Sequence, residues 1–421
     1  MQLIRHWLLG LGFVWFQANS LLAFTQEVYV WQRQFSPAIY QAIEVVHRDV
    51  SGIAVLAAEI SWEKKQPRLF RSSVNYATLA ANGCPVGLVL RIGPYAGRYS
   101  ADDETARYLT DVAINLLRSA RSGGVEPTEL QVDFDCASSK LAGYRLWLDA
   151  LRIAVAPMKI TFTALPDWLG RENFPALARA ADGYILQVHS LEKPAGVDEV
   201  FQLCDPDRAL RWVAQAERIG LPFRVALPTY GYRLAFNATG QFIALAAEGP
   251  LPHWPAGTQV HTVRADESAV AGLARKLVEI KPAGCAGIIW FRLPVAGDQL
   301  NWAIATLKVV LHGGLPVAQL EVEVSWPLAG LAEVSVVNRG EQNALPPAKV
   351  IAQWSGEASV LTADGLRGYA LAASPLKSGV IAMTAAPTVA EERIAPGRRR
   401  KIGWIRFSHE TSLTAQIVTS P

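Results

Sequence analysis

Glu129-Leu130-Gln131-Val132-Asp133-Phe134-Asp135 is the stretch on which the reading of this chain turns. Successive residues of an extended strand face opposite sides. Leu130, Val132 and Phe134 therefore share one face, and Gln131, Asp133 and Asp135 share the other. The first face is apolar enough to lie under a helix. The second ends in two carboxylates about 7 Å apart along the strand, at a rise of about 3.3 Å per residue. A strand of this kind suits a parallel sheet that is covered on one side and lines an interior on the other.

Segments of similar character recur on both sides of it. Upstream lie VYVWQR (28–33), GIAVLAAEI (52–60) and VGLVLRIG (86–93). Downstream lie KITFTAL (159–165), GYILQVH (183–189), FRVALPTY (223–230) and AGIIWFR (286–292). Helical periodicity fills the intervals at 37–48, 74–82, 103–121, 140–155, 173–180, 206–219, 267–280 and 301–311. Eight strand–helix units within 26–313 predict a (β/α)8 TIM barrel of the glycosidase type, with an insertion after the seventh strand. An open, doubly wound sheet is the alternative, but VWQRQFSPA stands where its glycine-rich phosphate turn would be.

Beyond His312-Gly313-Gly314-Leu315-Pro316 the helical pattern stops. LEVEVSW (320–326), AEVSVVN (332–338), AKVIAQW (348–354), GVIAMTA (379–385) and KIGWIRF (401–407) alternate as strands do. Turns are expected between them at Asn338-Arg339-Gly340 and Ala363-Asp364-Gly365. A second, all-β and sandwich-like domain is predicted over 315–421, making the chain α/β overall.

Composition excludes several classes of function. With 51% hydrophobic and 18% charged residues, the chain has ample material for a large core. Forty basic and 37 acidic side chains nearly cancel, so no general field for nucleic acid is present. Cys84, Cys136, Cys204 and Cys285 form no CxxC or Cys/His cluster, and neither a metal nor a cofactor is expected. Cys136 and Cys204 are either buried thiols or a bridged pair. Arg5 and His6 precede an apolar run from Trp7 to Phe16 and small residues at Ala18, Ser20 and Ala23. That layout predicts a signal peptide over 1–23, and hence an exported, periplasmic or extracellular protein. An uncleaved anchor or a buried first helix is the other reading of this segment. The run Arg398-Arg399-Arg400-Lys401 is expected to form a solvated turn before a strand, or to touch an anionic glycan or the envelope surface. A monomer is expected.

A barrel carries its chemistry at the C-terminal ends of its strands. Strand ends here offer Glu59, Arg91, Gln131, Asp133, Asp135, Thr161, Thr163, Asp167, Gln187, His189, Tyr230, Tyr232, Trp290 and Arg292. Asp133 and Asp135 are the catalytic candidates. Neighbouring carboxylates repel, so one of them holds a proton to higher pH. A protonated carboxyl beside an ionised one is the equipment of glycoside hydrolysis. Tyr95, Trp168, Tyr230 and Trp290 at the mouth would stack on sugar rings, while Glu59, Arg91, Asp167, Gln187, His189 and Arg292 would bind hydroxyls. Structural roles stand beside these: a helix cap for Asp167, barrel packing for Trp290, a core histidine for His189, and an ion pair with Arg91 or Arg292 for the aspartates. Metal-dependent hydrolysis through Asp133, Asp135 and His189 is a further reading.

VYVWQR, LQVDFDC, ITFTALPDWL and IIWFRLP, with the closing PGRRRKIGWIRF, resemble an exported bacterial family known as domain of unknown function 3142. The resemblance implies a glycosidase-type barrel. A more distant likeness is to family-18 chitinases, whose fourth strand carries DxxDxDxE and whose eighth ends in Trp. Asp133-Phe134-Asp135 is similar to the DxD core, and Trp290 to the Trp. In direct register Ala137 stands where the proton-donating Glu belongs. In a register shifted by two, Asp135 takes the donor position and Gln131 replaces an Asp. The resemblance implies either a carbohydrate-active hydrolase or a glycan-binding, envelope-assembly protein on the same scaffold. An open cleft around the aspartates would favour the first, and bidentate arginine pairs locking them would favour the second.

Overall fold

The computed structural model describes residues 24–64, 66–190, 192–250, 252–371, 379–386 and 392–418. The leader expected over 1–23 lies outside the described residues. Among those described, no helix is long and apolar enough to cross a membrane.

Eight parallel strands close into a barrel. They are β1 (Thr25–Val30), β2 (Gly52–Glu63), β4 (Val86–Ile92), β5 (Leu130–Phe134), β6 (Ile160–Ala164), β7 (Gly183–Gln187), β8 (Phe223–Pro228) and β12 (Cys285–Phe291). Each pairs with the next around the ring, and β1 closes it by pairing with both β12 and β2. The helices α1 (Pro37–Val46), α2 (Tyr76–Ala81), α3 (Glu104–Ser122), α4 (Leu141–Val155), α5 (Phe174–Arg179), α6 (Pro206–Ile219), α7 (Glu267–Ile280) and α8 (Ile304–Leu311) alternate with them. These match the intervals in which the sequence repeats at helical spacing.

The longest helix shows why. Asp103 caps α3 by accepting from the Ala106 amide, and Gly123 ends it. Between them Ala106, Leu109, Val112, Ala113, Leu116, Leu117 and Ala120 form one buried stripe. Each buried Leu or Val there contributes about 1.5–3 kcal/mol of burial free energy.

Two apolar layers result. The larger lies between strands and helices and takes Val28, Leu88, Leu90, Val132, Phe134, Phe162 and Trp290, among others. The smaller fills the lumen with Tyr29, Ala54, Val89, Ile185, Ala226 and Ile289. At the floor, Arg224 reaches across the barrel to Glu27 and, at 2.6 Å, to Glu129. A cavity of about 330 Å³ opens beneath this triad, at the N-terminal ends of the strands.

One strand breaks the alternation. Ala54 of β2 faces the lumen, which would send every odd-numbered neighbour to the helices. The pairing of β2 with β4 shifts between Leu56 and Ala58, so Ala57 is an extra residue. Ala57 and Ala58 both join the helix-side core, and Glu59 comes into register with luminal Arg91.

The insertion predicted after the seventh barrel strand is a three-stranded antiparallel sheet of β9 (Gly231–Phe236), β10 (Phe242–Ala246) and β11 (Gln259–Arg264). The sequence gives no warning of β3 (Gln66–Arg71), which turns back on β2 as an antiparallel extension. Its residues are mostly exposed, so it carries little hydrophobic alternation.

Eight more strands follow: β13 (Leu320–Leu328), β14 (Leu331–Asn338), β15 (Lys349–Ser355), β16 (Val360–Gly365), β17 (Tyr369–Leu371), β18 (Val380–Ala385), β19 (Arg399–Phe407) and β20 (Ser412–Ile417). They form two four-stranded antiparallel sheets, β13-β14-β19-β16 and β17-β18-β15-β20, around one core that includes Val334, Val350, Met383, Ile402 and Phe407. Two expectations change here. Ala363-Asp364-Gly365 is not a turn but the end of β16, where Gly365 lies against the backbone of Tyr369. Nor do Arg399, Arg400 and Lys401 form a solvated turn. They open β19, and their charges are taken by Glu323, Glu392 and Glu333.

The barrel and the C-terminal sheets meet through polar contacts. Glu267 at the start of α7 accepts from the Asn343 amide at 3.0 Å, Gln342 donates to Ser268, and Thr306 of α8 donates to the Glu341 carbonyl.

Candidate active site

The C-terminal ends of the barrel strands surround a cleft of about 180 Å³. Tyr29 and Trp31 line it from β1, Arg91 from β4, Asp133 and Asp135 from β5, and Thr163 from β6. Gln187, His189 and Ser190 follow β7, Tyr230 and Tyr232 follow β8, and Phe291 ends β12. Trp31 and Phe291 meet edge-on with centroids 4.9 Å apart, and the Arg91 guanidinium lies 5.8 Å from the Trp31 ring. One wall of the cleft is therefore aromatic and the other carries the acids.

Gln131, Asp133 and Asp135 descend from mouth to floor in reverse order. Gln131 is fully buried and donates to the Tyr29 hydroxyl. Asp133 is 6% exposed; it accepts from the Thr163 hydroxyl at 2.6 Å and lies 3.8 Å from Arg91 Nε. Arg91 is flanked on its other side by Glu59 at 3.9 Å, and Glu59 is also paired with Arg33. Asp135 sits outermost, exposed at the rim, with no hydrogen bond or ion pair among the described residues. Ala137 lies beyond the strand end in an exposed turn. Asp135, and not Ala137, is the residue that brings a carboxyl to the mouth.

Burial pushes the Asp133 carboxyl up, against the opposing pull of Arg91 and the Thr163 hydroxyl. Asp135 is raised to about 6 by the crowding of the cleft walls and then by the Asp133 charge, while Arg91 pulls it down. Asp135 keeps contact with solvent, so water screens part of that repulsion. Asp133 touches a cation and a hydroxyl that support its charge, whereas Arg91 acts on Asp135 only at a distance. Both carboxyls are raised, so the pair holds a proton to higher pH than a free aspartate would. The contact with Arg91 is a single one through Nε, not a bidentate lock, and leaves the outer carboxyl free.

His189 is 3% exposed, stacks on Phe291 and shares a 3.0 Å hydrogen bond with the Tyr230 hydroxyl through Nδ1. Burial lowers its pKa to about 3, so the ring is neutral across the physiological range. Gln187 donates to the His189 carbonyl at 3.1 Å. Among the described residues no group of three or more His, Cys, Asp or Glu side chains is placed to hold a metal ion. All four cysteines are free.

Several expected site residues lie elsewhere. Trp290 is fully buried on the helix side, donates to Gln26 at 3.1 Å and packs against Trp302. Arg292 shares its parity and pairs with Asp298 at 3.2 Å, outside the cleft. On β12 it is Ile289 and Phe291 that face inward. The error is one of parity: a strand that is apolar on both faces does not reveal which face is luminal. Trp168 is buried against Tyr144, Asp167 is exposed and accepts from Ser138, and neither lines the cleft. Asp167 caps no helix through its side chain. Tyr95 lines a neighbouring surface cavity with Trp62 and Tyr99. Glu59 acts at one remove, through Arg91. Tyr29, Trp31 and Phe291 were not anticipated, although the alternation Val28-Tyr29-Val30-Trp31 places both aromatics of β1 on one face.

Comparison with known proteins agrees with the architecture. The family model "Domain of unknown function (DUF3142)" matches residues 82–296, and "Domain of unknown function (DUF8456)" matches residues 325–408. No curated protein matches the chain. Among solved structures, the spore cortex-lytic enzyme SleL of Bacillus megaterium QM B1551 is 10% identical, with a TM-score of 0.50 over 70% of this chain and 74% of SleL. A chitinase from Chromobacterium violaceum ATCC 12472 is 17% identical, with a TM-score of 0.47 over 70% of this chain and 99% of that one. At 10% identity the likeness to SleL is one of fold.

Proposed function

The chain belongs to the DUF3142 family, and from that premise we propose that its barrel is a glycoside hydrolase acting on a poly- or oligosaccharide, with Asp135 as the proton donor. The observation that carries this is Asp135 itself: an unpaired carboxyl, raised to about 6, at the rim of an aromatic cleft beside a buried, supported Asp133. Asp135 gives its proton to the glycosidic oxygen as the bond to the sugar carbon breaks. Asp133, whose charge Arg91 and Thr163 support against burial, then faces the positive charge that develops on the ring, or draws a proton from the incoming water. Trp31, Phe291 and Tyr230 offer apolar faces to the sugar, and Gln187 a hydrogen-bonding edge. SleL is by name a spore cortex-lytic enzyme, which makes spore cortex a sensible member of any substrate panel. On this reading the leader at 1–23 exports the protein to where such glycans lie.

The test is product release from bacterial and plant polysaccharides by wild type, Asp135→Asn and Asp133→Asn, with binding recorded in parallel. Hydrolysis that collapses in the Asp135 variant while binding persists supports the proposal. Binding without turnover in all three proteins replaces it with a glycan-binding role, and turnover that survives Asp135→Asn removes Asp135 from the chemistry.

A further inference from the structure

A chain of hydroxyl groups runs along one wall of the cleft and ends on His189. Ser190 Oγ lies 3.1 Å from the Tyr232 hydroxyl, Tyr232 lies 3.3 Å from the Tyr230 hydroxyl, and Tyr230 lies 3.0 Å from His189 Nδ1. Tyr232 belongs to β9, so the insertion after the seventh barrel strand supplies one link. Each hydroxyl can donate one hydrogen and accept others. The direction of the chain is set at its inner end. A phenol hydroxyl donates well, whereas its oxygen is a weak acceptor because the ring delocalises its lone pair. An sp2 imidazole nitrogen is a strong acceptor. The favourable order is therefore Ser190 to Tyr232, Tyr232 to Tyr230, and Tyr230 to His189 Nδ1.

With Nδ1 accepting, the hydrogen of a neutral imidazole must sit on Nε2. Nε2 is buried and has no partner, although the residue lines the cleft. A buried N–H left unpaired costs about 1–3 kcal/mol. Other buried side-chain atoms, such as Nε1 of Trp147 and Trp168, also lack a partner, but among the described residues His189 Nε2 is the one that belongs to the cleft lining. We propose that the Ser190–Tyr232–Tyr230 chain locks His189 in the Nε2–H tautomer, and that Nε2–H is a fixed donor for an acceptor oxygen of the ligand. His189 is then a positioning residue, not the acid or base of the reaction. Such a donor recognises a carbonyl, carboxylate or hydroxyl oxygen and rejects an ammonium or a methyl group at the same place. The ligand being a sugar rests on the function proposed above; the tautomer does not.

The experiment is nitrogen-15 NMR of the full chain labelled at histidine, with the His189 signals assigned by their loss in His189→Gln. Wild type is expected to show a protonated Nε2 and an unprotonated Nδ1 at neutral pH, and Tyr230→Phe to release that preference. A protonated Nδ1, or an imidazolium, in wild type overturns the lock. Three probes are then added separately: glucose, glucuronic acid and N-acetylglucosamine, which offer hydroxyl, carboxylate and amide oxygens. At least one is expected to shift the Nε2 signal, with binding about tenfold weaker in His189→Phe and restored in His189→Gln. If none shifts it, the donor role falls, even if polysaccharide hydrolysis depends on Asp135. If a probe shifts it while no glycan is hydrolysed, the donor role stands and the hydrolase reading falls.

Discussion

Asp135 and Asp133 have the same side chain, and only their surroundings separate them. Asp133 lies under Thr163 and beside Arg91, while Asp135 stands free at the rim. Asp135→Asn should lower turnover by about 100–10,000-fold, the usual contribution of a general acid, with little change in binding. In wild type the rate should fall as pH rises above about 6, as Asp135 gives up its proton. The same shift bears on stability. A carboxyl whose folded pKa is raised contributes stability that is fully present below its unfolded value near 3.9 and is lost as pH rises through about 6. The melting temperature of Asp135→Asn should therefore exceed that of wild type at pH 8, with the difference vanishing by pH 3. Thr163→Val removes the hydroxyl that holds Asp133 Oδ1, costs about 1–3 kcal/mol, and should move the whole acid limb of the pH–rate profile upward.

At the scale of the strand, the extra residue in β2 is what brings Glu59 to Arg91. Inserting one residue between Ala58 and Glu59 shifts the parity beyond the bulge by one and turns Glu59 toward the apolar helix layer, where its charge has no partner. The insertion should lower stability by several kcal/mol in denaturant titration and leave Arg91 without Glu59. Glu59→Gln keeps the register and should cost far less, so the pair separates the geometry of the bulge from the charge it delivers. The seam between β1 and β12 is equally demanding. A methyl group on Gly287 would overlap the Thr25 carbonyl oxygen across the closing pair, so Gly287→Ala should destabilise by about 1–3 kcal/mol or more. Circular dichroism melts would register it as a lower melting temperature.

For the molecule as a whole, the two ends of the barrel do different work. The floor carries Glu27, Arg224 and Glu129, drawn from β1, β8 and β5, and these bind distant parts of the chain to one another. Burial, reinforced by the Glu129 charge, pushes Glu27 up while Arg224 restrains it. Arg224→Ala removes that restraint and should cost about 3–5 kcal/mol at neutral pH. The loss should shrink in acid, because a raised glutamate is neutral there and no longer needs its cation. Urea unfolding at pH 4 and pH 7 reads the difference. At the mouth, Asp135 and His189 Nε2 stand without partners, as a site prepared for a ligand would leave them.

The order of strands and helices was legible because each element carries its own period, and the local rules of burial act on every residue in turn. ELQVDFD needs no neighbour to show one apolar and one polar face, so Asp133, Asp135, Arg91, Gln187, His189 and Tyr230 could be placed toward the lumen from the sequence alone. Strands apolar on both faces carry no such mark. On β12 the choice between Trp290 and Phe291 was made by pairing with β1 and β8, and Trp290 went to the helices. Tertiary structure also decided the bulge at Ala57, the ion pairs that absorb the Arg399–Lys401 run, and the line of hydroxyls from Ser190 to His189. In each case the cause is the same: partners far apart in sequence meet only when the barrel closes, and their geometry leaves no local period to read.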